Sequence, residues 1–204
     1  MHLRHYERFL YFSMSLFKNK YRVESARLDD WDYSTPAQYF VTICTKGMFR
    51  WFGDVKHGMV TRSGYGDVAH QQWSRLPEYF PHIILDEFIV MPNHVHGIIA
   101  LDTYLDSRHN GGDVASNVST KKNIKMSNLS PRAGSLSTIL RSYKSGVTHR
   151  IRALGRREFE WQSRFYDHII RSHKSLNSIR EYIHNNPAQW EHDKNHPEGL
   201  FNWL

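Results

Sequence analysis

The hydrophobic pattern divides the chain into short strands and two longer helical stretches. Tyr39-Phe40-Val41-Thr42-Ile43-Cys44 is β-branched and aromatic, which predicts a strand. Met48 to Phe52 reads as a second short strand or the end of the first, with turn signals at Lys46-Gly47, Gly53-Asp54 and His57-Gly58. Between Ser63 and Phe80, Val68, Trp73, Leu76, Tyr79 and Phe80 recur at loosely helical spacing, and Pro77 cuts the pattern near its end. Ile83 to Met91 is apolar enough for a buried strand. Pro92-Asn93 then makes a tight turn into His94 to Leu101, the expected antiparallel partner.

From about 103 to 133 the sequence becomes rich in Ser, Asn, Gly and Lys, the composition of a long flexible loop. Leu136, Ile139, Leu140, Tyr143, Val147, Ile151 and Leu154 then recur at steps of three and four, predicting a helix from Ser135 to Leu154. Phe165 to Ile170 predicts a last strand. A final helix runs from about Lys174 to Asn186, stopped by Pro187. The order β, α, β, β, α, β with one further helix is that of an α+β, ferredoxin-like sandwich: an antiparallel sheet with helices, plus an additional C-terminal helix. Residues 1–37 read as a basic N-terminal arm, 38–190 as the main folded domain and 191–204 as a C-terminal tail.

Composition narrows the function. Of 204 residues, 27 are Lys or Arg and 20 are Asp or Glu, a formal net charge of +7, and the mean hydropathy is −0.62. No apolar run approaches the roughly 18 residues of a membrane span. The lone cysteine, Cys44, excludes a disulfide framework and a Cys-rich zinc site, and points to a cytoplasmic protein. Positive charge with 14% aromatic residues favours a polyanionic partner, nucleic acid foremost.

His94 and His96 carry the candidate chemistry. Two apart on a strand, their imidazoles share a face, where both can ligate a divalent metal. A two-residue hairpin sets Ile89 opposite His96 and leaves Glu87 one pair further along the same face, a further candidate ligand unless the register slips.

Val90-Met91-Pro92-Asn93-His94-Val95-His96-Gly97-Ile98-Ile99 resembles the signature of the single-tyrosine His-hydrophobe-His transposases, most closely the REP-associated tyrosine transposases. The likeness takes in Tyr39 to Thr45, Leu85-Asp86-Glu87-Phe88, Ser142-Tyr143-Lys144-Ser145, Trp161 to Tyr166 and Tyr182-Ile183-His184-Asn185-Asn186-Pro187. The resemblance implies a metal-dependent nuclease and strand transferase. The His pair would bind Mg²⁺ or Mn²⁺. A helical tyrosine would attack single-stranded or hairpin DNA to give a 5′-phosphotyrosine and a free 3′-OH.

The family commonly places a Gln or Asn ligand one helical turn after that tyrosine. Tyr182 is followed at that spacing by Asn186, whereas Tyr143 is followed by Val147 and Tyr166 by Ile170. Tyr182 is the first choice of nucleophile, with Tyr143 the alternative and Tyr166 third. Arg141, Lys144, Arg150 and Arg152 on the long helix, Lys121 and Lys122 in the loop, and Trp161 and Arg164 beyond it are candidate DNA contacts. The rival reading is a catalytically inactive nucleic-acid-binding protein of the same fold. Either reading allows a monomer or a homodimer, with no membrane association.

Overall fold

The computed structural model describes residues 31–102, 134–193 and 195–196, together with two short strands, β1 (Leu16–Phe17) and β2 (Lys20–Tyr21). β1 and β2 pair antiparallel within a separate unit, Met1–Trp31. Lys121 and Lys122 lie outside the described residues, as does the expected loop around them.

The second unit is built on β3 (Ala37–Cys44), β6 (Ile83–Val90), β7 (His94–Leu101) and β8 (Tyr166–Ile170). These form an antiparallel sheet in the order β6-β7-β3-β8. In chain order that is second, third, first, fourth, the ferredoxin-like arrangement expected from the sequence. One crossover carries α1 (Gly64–Ser74) and α2 (Leu76–Tyr79); the other carries α3 (Leu136–Ala153). Pro77 sits in the first turn of α2, where its missing N–H costs nothing.

Alternation along the strands separates two faces. Tyr39, Val41, Ile43, Val95 and Ile99 point one way and are fully buried under α1 and α3. Gly97 is required there. A Cβ on it would stand 2.3 Å from the Trp73 ring, which stacks on Phe88 and meets the Tyr143 ring edge-on. Phe40, Ile98 and Ile170 point the other way and meet Leu176 and Ile183 of α4 (His173–Asn185), with Ile179 and Tyr182 packed against them. The additional C-terminal helix therefore covers the face that bears His94 and His96. It begins at Ser172, whose hydroxyl accepts from the Ser175 N–H, and passes at Asn186–His192 into a 3-10 helix with Pro187 in its first turn.

Two segments depart from the sequence reading. Residues 49–52 form no strand; a 3-10 turn at Lys46–Met48 follows β3 instead. The strands come later, as the hairpin β4 (Gly53–Lys56) and β5 (Met59–Arg62). His57 and Gly58, read as a turn, both take positive φ, as a two-residue hairpin demands. These strands escape pattern recognition because they are four residues long and none of their residues is buried.

Candidate metal and tyrosine site

The His hairpin is held rigidly at its turn. The Met91 N–H donates to the His94 carbonyl (2.8 Å), Phe52 N–H donates to the Pro92 carbonyl (2.9 Å), and Thr45 donates to the Asn93 carbonyl through both its N–H (2.8 Å) and its hydroxyl (3.0 Å). Ile89 pairs with His96, as the hairpin reading expects. His94 and His96 are 0% and 1% exposed, with ring centroids 4.4 Å apart.

The neighbours of His94 fix its tautomer. The Asn93 amide nitrogen donates to the carbonyls of Asn195 (2.7 Å) and Met48 (3.1 Å), so its Oδ1 faces His94 Nδ1 at 2.8 Å. An amide oxygen only accepts, so His94 carries its proton on Nδ1 and presents the lone pair of Nε2. His96 Nδ1 lies 2.9 Å from the Thr42 hydroxyl, its cross-strand partner, which leaves Nε2 directed to the opposite side.

That side belongs to α4. The Tyr182 hydroxyl is 3.3 Å from His96 Nε2, and the rings meet at 5.3 Å. Asn186 is buried beside it. Its Nδ2 donates to Asp193 Oδ2 (2.7 Å), while its Oδ1 has no hydrogen-bond partner among the described residues. Asp193 accepts a second bond from the Asn195 N–H (2.6 Å). The ligand atoms of His94, His96 and Asp193 all lie within 4.8 Å of one another.

Burial drives the Tyr182 phenol far above its ordinary pKa; the Asp193 charge adds to this, and the Asn186 amide opposes it. Two imidazole nitrogens, an amide oxygen left over in a buried place and a carboxylate make a donor set that fits a divalent ion.

Tyr182 and Asn186 thus sit with the His pair. Tyr143 is on the opposite face of the sheet. Its hydroxyl donates to the Ala69 carbonyl (3.2 Å), and burial alone raises its pKa. Tyr166 packs edge-on against Phe40, on the His face. Glu87 is exposed: the β6–β7 register shifts between Leu85 and Phe88, and the bulge turns Glu87 out to solvent. Asp193, Asn195 and His196, assigned by sequence to a tail beginning at 191, are buried against the site. No local periodicity links them to the His hairpin.

Among the candidate DNA contacts, Arg141, Arg150, Arg152 and Arg164 are exposed. Arg152 donates to the Phe159 carbonyl, and Lys144 to the carbonyls of Gln162 (2.6 Å) and Ser163 (3.3 Å). Burial lowers the pKa of Lys144. Trp161 is 9% exposed, wedged among Phe52, Phe159 and Tyr143, and its indole N–H donates to the Lys144 carbonyl. It serves the core rather than offering an open face. With Lys46, Thr148, Arg152, Glu160, Gln162 and Ser163 it lines an open groove.

The chain is 35% identical over 173 residues to a protein of Haemophilus influenzae (strain ATCC 51907 / DSM 11121 / KW20 / Rd) described as uncharacterized, across 83% of this chain and 91% of that one. The chain belongs to that protein's family. No family model matches it. Among solved structures, a REP-associated tyrosine transposase bound to a REP hairpin aligns with a TM-score of 0.45 at 20% identity, over 76% of this chain and 68% of that chain. A transposase candidate of Deinococcus radiodurans R1 aligns at 0.37 and 14% identity, over 74% and 91%.

Proposed function

We propose that this family member is a metal-dependent tyrosine transposase that cleaves and rejoins single-stranded or hairpin DNA. One observation carries the reading: the Tyr182 hydroxyl, on the helix predicted for the nucleophile, meets His96 of the His-Val-His strand at 3.3 Å. His94, His96 and Asn186 would hold Mg²⁺ or Mn²⁺, with Asp193 a further carboxylate at the same place. The ion would polarise the scissile phosphate as a Lewis acid.

The chain's own residues do the rest. Asn93 and Thr42 orient the imidazoles. Leu176, Ile179 and Ile183 seat α4 on the sheet, which keeps the phenol on the face that bears the His pair. A phenol whose pKa is raised stays protonated at neutral pH, so a base must take its proton as it attacks. The Asp193 carboxylate, against the phenol, is placed to do so. The Tyr182 oxygen then bonds to phosphorus, the P–O3′ bond breaks, and the leaving oxygen is protonated by water to a free 3′-OH. Reversal with another 3′-OH rejoins the strand and restores the phenol, without ATP.

Both imidazoles are covered. Trp190, 4% exposed and 6.0 Å from the His94 ring, must be displaced before a phosphodiester can enter. That cover favours a second reading, a DNA-binding protein that does not cleave. Incubation with end-labelled hairpin DNA and Mn²⁺ separates the two. A denaturant-stable adduct is expected from the native chain and from Tyr143→Phe, and none from Tyr182→Phe or His94→Ala. DNA binding without an adduct at any metal concentration selects the second reading.

A further inference from the structure

We infer that the Asp86–Arg180 ion pair sets the roll of α4 about its own axis and thereby places the Tyr182 hydroxyl on His96. Arg180 grips Asp86 with two parallel bonds, Nε to Oδ1 at 2.9 Å and a terminal nitrogen to Oδ2 at 2.6 Å. Its other terminal nitrogen donates to Asn177 Oδ1 (3.2 Å), one turn back on the same helix. The Asp86 side chain is only 19% exposed. The guanidinium holds its carboxyl below the usual carboxylate range.

The β6 bulge makes the pair. Leu85 pairs with Ile99 and Phe88 with Gly97, so Asp86 and Glu87 together oppose the single residue Ile98. The extra residue resets the alternation: Leu85, Phe88 and Val90 all point to α1 and α3, while Asp86 and Ile89 point to α4. Asp86 is thus aimed at the helix that carries Tyr182.

Apolar contacts cannot supply this setting. Leu176, Ile179 and Ile183 bury a stripe, and such burial is non-directional, so it fixes the helix's height above the sheet better than its rotation. A bidentate guanidinium–carboxylate pair is directional. A side-chain tip stands roughly 6 Å from the helix axis, so a roll of about 20° displaces it by roughly 2 Å. That displacement would break a 3.3 Å contact. Arg180, two residues before Tyr182, grips the sheet from another side of the helix and opposes that roll.

The catalytic part of this inference rests on Tyr182 being the nucleophile; the positional part does not. The test compares the full-length native chain with Asp86→Asn, Arg180→Gln, the charge swap Asp86→Arg with Arg180→Asp, and Tyr182→Phe. Nitrogen NMR signals of the His96 imidazole report on the phenol contact without DNA or metal. In Asp86→Asn and Arg180→Gln they are expected to move towards their Tyr182→Phe positions, and in the swap to return towards native. Single-turnover adduct formation is expected to fall about 10- to 100-fold in each single variant with DNA affinity unchanged, and to recover in the swap. His96 signals that stay native in both single variants overturn the inference. So does a rate loss that follows the melting temperature and is not recovered in the swap. Absence of any adduct from the native chain would overturn the proposed chemistry instead, and the imidazole signals would then decide the positional claim alone.

Discussion

Asn93 shows how much chemistry one side chain can settle. Its amide nitrogen has two carbonyl acceptors, so its oxygen has one remaining direction, towards His94 Nδ1. That contact decides which imidazole nitrogen presents its lone pair to a metal. Groups that orient a metal-binding histidine typically matter 10- to 100-fold in metal affinity. Asn93→Ala is therefore expected to weaken Mn²⁺ binding by about 10- to 100-fold, measured by titration without DNA. Thr42→Val should act in the same direction through His96. Unchanged affinity in both would mean that the ion, if bound, sits elsewhere.

The His hairpin was readable because its information is local. Period-two alternation puts both imidazoles on one face, and Pro92-Asn93 sets the register that pairs Ile89 with His96. The Tyr182–Asn186 spacing is local too. Asp193 was not readable. It reaches the site only because the chain winds on past Pro187 as a 3-10 helix, and no motif within a few residues announces that path. The Asp86–Arg180 pair was hidden for a related reason: strict alternation fails at a bulge, and a bulge is not visible in hydrophobic pattern alone.

Among the elements, β7 is the one the two faces depend on. Its odd positions serve the core beneath α1 and α3, and its even positions serve the site. Gly97→Ala would drive a Cβ into the Trp73 ring, a rigid neighbour that cannot swing aside. A loss of about 1–3 kcal/mol in denaturant unfolding is expected, with residual folded protein still binding DNA. Tyr143→Phe removes the bond to the Ala69 carbonyl and is expected to cost about 1 kcal/mol of stability. Its adduct yield at temperatures where it is folded should match the native chain.

For the whole molecule, the charge of +7 first suggested only a polyanion. The described structure resolves that set. Arg141, Arg150, Arg152 and Arg164 are exposed, and Arg152 and Lys144 donate to backbone carbonyls around the Trp161 groove. Arg141→Ala and Arg150→Ala are expected to weaken binding to hairpins of different sequence by similar factors. Each should reduce the slope of log affinity against log salt by about one. Among the described residues no helix is long and apolar enough to cross a membrane.

The proposed chemistry rests on one side chain, Tyr182. After reaction with a hairpin oligonucleotide and Mn²⁺, nuclease trimming and proteolysis leave the tyrosine with its phosphonucleotide remnant for mass spectrometry. The remnant is expected on Tyr182, carried by the peptide that contains Asn186. A remnant on Tyr143 or Tyr166, or a reacted sample with no modified tyrosine, would contradict it.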